Sequence, residues 1–145
     1  MRARGITKAD FDFIVTVLDR WWGGPSGERA HPMFFYEFGD QALIAENEGE
    51  TIGFLLGFLS QTTPPTGYVH LVGIHPEHRR RGVGKALYEQ FTERCSTLGA
   101  RRMKAITTVG NDGSIRFHEA LGFTVREDPD YAGPGRGRIV FTKDL

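Results

Sequence analysis

A single cysteine, Cys95, stands in the whole chain. Neither an intrachain disulfide nor a cysteine-ligated zinc cluster can be built from it. No apolar run approaches the roughly 20 residues that cross a bilayer, and the N-terminus lacks the apolar centre of a signal peptide. Charge of one sign is not in excess either. Lys plus Arg and Asp plus Glu number 18 each, which gives no global reason to meet nucleic acid or an anionic membrane. The histidines are too loosely spaced to read as metal ligands, so no metal is expected. Repeats, long linkers and low-complexity tracts are missing as well. What is present is a chain of 145 residues, 39% hydrophobic and carrying 11 phenylalanines. That suits one globular domain over 1–145 with a substantial core, most naturally in the cytoplasm.

The pattern of apolar residues orders that domain. Phe11, Ile14, Val15, Leu18 and Trp22 recur at helical spacing, with Thr7 as N-cap, and predict a helix over 7–22. The glycine-rich residues 23–27 end it in a loop, and 30–38 reads as a second, short helix. Two runs, 43–46 and 51–60, flank a Glu48-Gly49-Glu50 turn and read as an antiparallel hairpin. A strand follows over 68–74. Val83, Leu87, Phe91, Arg94, Cys95 and Leu98 form the stripe of a further helix, stopped by Gly99. A strand over 103–108, a helix over 114–121 and a closing strand over 138–142 complete a mixed sheet with helices on both faces. Cys95 on the helix stripe reads as a small core residue rather than a nucleophile.

Between the 68–74 strand and the long helix lies the segment His75-Pro76-Glu77-His78-Arg79-Arg80-Arg81-Gly82-Val83-Gly84-Lys85. Its geometry aims backbone N–H groups, at the positive end of a helix, toward one spot. Gly82 and Gly84 let an anion approach the main chain closely. The turn therefore reads as a seat for a phosphorylated ligand. A P-loop is excluded because position 79 is Arg and position 86 is Ala; the dinucleotide fingerprint is excluded because Leu87 replaces its third glycine.

Arg79, Gly82 and Gly84 do fit the pyrophosphate loop of the GNAT superfamily of acyl-CoA-dependent N-acyltransferases. A second block, Asn111-Asp112-Gly113-Ser114-Ile115-Arg116-Phe117-His118 running to Leu121-Gly122-Phe123, resembles that family's downstream signature. The resemblance covers nearly the whole chain. It implies an α/β fold: a three-layer αβα sandwich whose mixed, mostly antiparallel sheet has a central parallel pair that splays apart to admit acetyl-CoA. It also implies transfer of an acetyl group to a primary amine, carried by a small molecule or a peptide, with a protein lysine or N-terminal amine as the alternative acceptor. Members often pair through exposed strands, so a homodimer is compatible with it. The rival expectation is an acyl-CoA-binding sensor or scaffold without turnover.

Such transfer poses three problems: holding the donor, polarising its carbonyl, and neutralising an amine that at pH 7 is unprotonated about once in 2500 molecules. The resemblance assigns the first to the N–H groups of Arg81, Gly82, Val83, Gly84 and Lys85, with charge from Arg79, Arg80 and Lys85, and with Asn111, Ser114 and Phe117 along the pantetheine arm. The second falls to backbone N–H groups around Val72, Gly73 and Ile74. Gly73 inside a strand signals either a close approach or a bulge. Strand alternation puts Tyr68, His70 and Val72 on one face. His70 then stands where several members carry a base, against the plainer reading of a strand histidine bonded to a carbonyl. His118 replaces the tyrosine that in many members protonates the leaving thiolate, with Ser114 and Tyr131 as lesser substitutes. Asn111 can alternatively cap its helix. For the acceptor, the candidates are Trp21, Trp22, Glu28, Glu37 and the loop from Tyr131 to Arg136.

Overall fold

A computed structural model describes residues 1–22, 29–38 and 41–145, apart from the Trp22 side chain. Seven strands form one sheet in the order β1-β2-β3-β4-β5-β7-β6. In chain order the elements are β1 (Arg2–Gly5), α1 (Lys8–Trp22), α2 (Met33–Tyr36), β2 (Leu43–Asn47), β3 (Glu50–Ser60) and β4 (Thr66–Ile74). Then come α3 (Val83–Thr97), β5 (Arg102–Thr107), α4 (Asp112–Ala120), β6 (Thr124–Asp128) and β7 (Arg138–Asp144). Neighbouring strands run antiparallel except β4 and β5, which are parallel.

Helix α1 starts on a reciprocal cap: the Asp10 N–H donates to the Thr7 hydroxyl at 3.2 Å, and the Thr7 N–H donates to the Asp10 carboxylate at 2.8 Å. Arg4 grips the same Asp10 at 2.6 Å, fixing the helix start to β1. The buried stripe of α1 is Phe11, Ile14, Val17, Leu18 and Trp21, whereas Val15 is exposed. Val17 and Trp21 thus complete the stripe where Val15 was expected, a turn of roughly 45° around the helix axis at 3.6 residues per turn. The hairpin of β2 and β3 turns at Glu48 and Gly49, both at positive φ (51° and 79°), the conformation of a two-residue turn that matches sheet twist.

Two apolar layers sandwich the sheet. On one face Val83, Leu87, Phe91 and Cys95 of α3 pack on Leu55, Val69, Met103 and Phe141. On the other, α1 and Phe34 of α2 pack on Ile44, Phe54, Leu56 and Leu71. The three-layer αβα sandwich is therefore the observed architecture. Leu98, expected on the α3 stripe, is exposed instead; Tyr88 occupies the buried side, one residue past Leu87.

Two departures in β4 shape the site. Pairing with β5 ends at Val69↔Ala105, so the strands separate beyond that point. Against β3 the register passes from Leu56↔Leu71 to Gly57↔Val69, which leaves His70 as an extra, bulged residue. The bulge breaks the alternation. Tyr68 contacts Phe58 on the α1 side and His70 stacks on Phe34 there, while Val72 packs with the α3 side. The expectation that all three share one face is corrected for that reason. Gly73 is not the bulge; a Cβ there would stand 2.4 Å from the Phe54 ring, so Gly73 is a close approach that seats an aromatic side chain. Residues 23–28, including the expected loop and Glu28, lie outside the described residues, as does the side chain of Trp22.

Candidate active site

The split between β4 and β5 opens a cleft of about 930 Å³ that passes from one face of the sheet toward the other. Val72, Ile74, Gly84, Asn111, Ser114 and Phe117 line it on the α3 and α4 side; Tyr68, His70, Arg29 and Arg138 line its other part. From Tyr68 to Ile74 the strand spans about 20 Å.

At the Ile74 end, the chain makes one 3-10 turn, Pro76–His78, and then the glycine turn. Arg80 and Gly82 both take positive φ, at 64° and 78°, and Gly82 is the N-cap of α3 with no side-chain cap. Arg80 thus holds a conformation rare for a residue with a Cβ, as segments shaped for a ligand often do. Among the described residues, the N–H groups of Arg81 through Lys85 donate to no protein acceptor. They form a concave donor set at the positive end of a 15-residue helix. Nothing lies within 4 Å of a Cβ built on Gly82. This is open, unsatisfied backbone that suits a diphosphate, and the unpaired β4 edge beyond Val69 suits the amide-bearing arm of coenzyme A. The residues present fit the donor.

Side chains at this end divide. Arg79 lines the cleft, but its guanidinium also donates to the Trp21 carbonyl at the end of α1. Arg80 and Arg81 are exposed. Lys85 faces a neighbouring groove and lies 3.9 Å from Glu89. Asn111 caps α4, its Oδ1 accepting the Ser114 N–H at 3.2 Å while Nδ2 donates to the Thr107 hydroxyl at 3.0 Å. It does so while lining the cleft, so the capping role and a place beside the donor coexist.

His118 is buried, at 6% exposure, and its ring stacks on Phe141 at 3.9 Å. Its Nδ1–H donates to the Ser114 carbonyl at 2.8 Å, which leaves Nε2 to accept the Tyr88 hydroxyl at 2.6 Å. Both ring nitrogens are engaged, and burial lowers its basicity below that of a free imidazole. Tyr88 is the functional candidate that sequence reasoning missed. Its signal was available, since Gly84 and Tyr88 lie one helical turn apart on the same side.

His70 Nε2–H donates to the Arg29 carbonyl at 2.8 Å, and its ring lies 4.6 Å from Phe34, stacked. Because a carbonyl only accepts, the lone pair sits on Nδ1. Desolvation by the surrounding protein lowers the pKa of His70, the bond to the Arg29 carbonyl partly offsets this, and the charge of Arg29 lowers it further, so the solvent-accessible ring is a neutral acceptor at pH 7. Tyr68 is pushed up to about 12 by burial and stays protonated. Tyr131 receives Lys104 over its ring at 4.9 Å. Trp21 is 5% exposed, stacks on Phe54, and belongs to the core rather than the cleft; Glu37 is exposed and lines no part of it. Glu50, His75 and His78 approach one another within 4.8 Å. His75 Nδ1, however, accepts the Glu77 N–H at 3.1 Å and so leaves its proton on Nε2, the atom facing Glu50.

A sheet split at its parallel pair, with an open helix start at the mouth, defines a nucleotide-tailed acyl-donor site. Residues 11–123 match the model of the acetyltransferase (GNAT) family, and the chain belongs to that family. It is 28% identical over 92 residues to L-2,4-diaminobutyric acid acetyltransferase of Nocardia farcinica, covering 63% of this chain and 48% of that protein. The chain thus spans about half the length of that relative. Among solved structures, Ard1 from Thermoplasma volcanium superposes with TM-score 0.80 at 19% identity, covering 99% of this chain and 97% of that one. A phosphinothricin acetyltransferase from Sinorhizobium meliloti in complex with acetyl-CoA gives 0.76 at 23% identity, covering 99% and 88%.

Proposed function

We propose that the protein is an N-acetyltransferase that moves the acetyl group of acetyl-CoA to a primary amine by direct attack in a ternary complex. The observation that carries this reading is the cleft itself. Free backbone donors of Arg81 to Lys85 stand on one side of the split, and a neutral histidine stands on the other. Acetyl-CoA, held there, supplies the acyl group as a thioester. The amide edge of β4 near Val72 faces the carbonyl oxygen and stabilises negative charge on it. His70 takes the proton that the amine sheds, directly or through water; the Arg29 carbonyl fixes which nitrogen does so. The Tyr88 hydroxyl lines the same cleft and, by turning its proton from His118 Nε2 to the leaving sulfur, fills the place that His118, with both nitrogens bonded, does not. Cys95 takes no part: burial pushes its thiol up to about 11, far from the thiolate a covalent route needs.

Two of the named relatives carry the names of small amine substrates, diaminobutyric acid and phosphinothricin, which supports a small-molecule amine as acceptor, with a peptide or protein amine as the alternative. The test is a screen of amines with acetyl-CoA, read by thiol release. Release with at least one amine supports the reading. Tight acetyl-CoA binding with no release on amino acids, polyamines, aminoglycosides and peptide N-termini would replace it with a binding domain, the alternative that the fully bonded His118 favours.

A further inference from the structure

The acceptor part of the cleft has a charge character that composition hides. The charged residues lining the cleft are Arg29, Arg79 and Arg138, and no Asp or Glu among the described residues joins them. Arg79 belongs to the glycine turn and is tied to Trp21. The other two lie on the α1 side of the sheet, with His70. Arg29 precedes α2, and its carbonyl holds His70. Arg138 opens β7, next to Ile139, whose side chain packs with the α3 side, so alternation turns Arg138 to the opposite face.

Neither guanidinium is neutralised by a described residue. Asp128 sits opposite Arg138 in the β6–β7 register, yet its carboxylate serves Arg126 at 3.5 Å and the Asp130 N–H at 3.1 Å. Among the described residues, the Arg138 side chain itself donates only to the Gly137 carbonyl, at 2.7 Å. Lys104, further along β5, lies over the Tyr131 ring and does not line the cleft. Unpaired guanidinium groups beside a base repel a second ammonium and attract planar oxyanions, which they match with paired N–H donors.

We propose that the acceptor carries an anionic oxygen group, a carboxylate or a phosphate, close to its amine, and that Arg29 and Arg138 hold it while the amine faces His70. The proposal rests on the transfer reading above and narrows it to anionic amines, against polyamines and aminoglycosides.

The experiment pairs each L-amino acid with its carboxamide, and phosphoethanolamine with ethanolamine. Each is titrated calorimetrically into protein saturated with CoA and assayed for thiol release with acetyl-CoA. A preference of about ten-fold or more for the anionic member of at least one pair is expected. The anion-to-neutral ratio should fall about ten-fold in Arg29→Gln and in Arg138→Gln; Arg29→Gln keeps the carbonyl that bonds His70. Which pair shows the preference separates carboxylate from phosphate. Equal or better binding of the neutral members or of spermidine overturns the proposal on wild-type protein alone. Heat from the anionic members without thiol release leaves it standing and overturns the transferase reading. Release without anion preference does the reverse.

Discussion

The two ends of the cleft are built from different material. The donor end is main chain: the N–H groups of one continuous turn, shaped by Gly82 and by Arg80 in a left-handed conformation. The acceptor end is side chain: Arg29, Tyr68, His70 and Arg138, delivered by three separate segments. A backbone site depends on local conformation and tolerates changes of charge. A side-chain site depends on charge and proton state, and on the sheet closing correctly around it.

The sharpest way to break this contrast is His70→Ala. Turnover should fall about 100-fold while acetyl-CoA affinity, measured by calorimetry, stays within a factor of two. Desolvation in the cleft holds His70 below 6.5, so the inactive, protonated ring predominates only in more acid solution. The wild-type rate should therefore climb with pH through a midpoint below 6.5 and then level, and the variant should lose that climb. An unaltered profile would return His70 to a packing role.

At the donor end the complementary change is Gly82→Val. A branched residue at φ 78° costs about 1–2 kcal/mol of backbone strain, yet its Cβ meets no protein atom within 4 Å. Acetyl-CoA should bind about ten-fold more weakly, with the anion preference of the acceptor unchanged. A dissociation constant like the wild type's would place the donor elsewhere.

Tyr88→Phe joins the two ends. It strands the buried Nε2 of His118, which should cost about 1–3 kcal/mol of stability in urea unfolding. The same buried imidazole predicts a pH dependence. Its folded pKa lies below its unfolded value, so the unfolded chain binds more protons in mildly acid solution. Stability should drop as pH falls from about 6.5 toward the folded value, and His118→Gln should flatten that slope. A slope unaffected by the substitution would point to other groups. The smallest effect belongs to Cys95→Ala, which should leave turnover within about two-fold, since the thiol is core. A thiol-bound acetyl group seen by mass spectrometry would overturn direct attack.

The long, amphipathic or glycine-marked elements were legible in the residues. The Thr7 cap, the turn at Glu48 and Gly49, the start of α3 and the cap at Asn111 all depend on neighbours a few positions away. The edge strands β1 and β6 were not, because Arg2–Gly5 and Thr124–Asp128 are short and rich in charge, as exposed edges commonly are. The bulge at His70 was illegible too. It is set by pairing with β3, and it moved Val72 to the face opposite His70. Trp21 and Trp22 looked alike as acceptor walls; only packing on Phe54 assigned Trp21 to the core.

Sequence alone therefore determined the family signature and the open glycine turn at the start of α3, since glycine spacing and a helix start act through local backbone geometry. Tertiary structure decided which histidine nitrogen carries a lone pair, that the Tyr88 hydroxyl bonds the buried ring of His118, and that Arg29 and Arg138 share a face with His70. Those facts rest on contacts between distant segments, and such contacts exist only once the sheet has closed and its strands have taken their register.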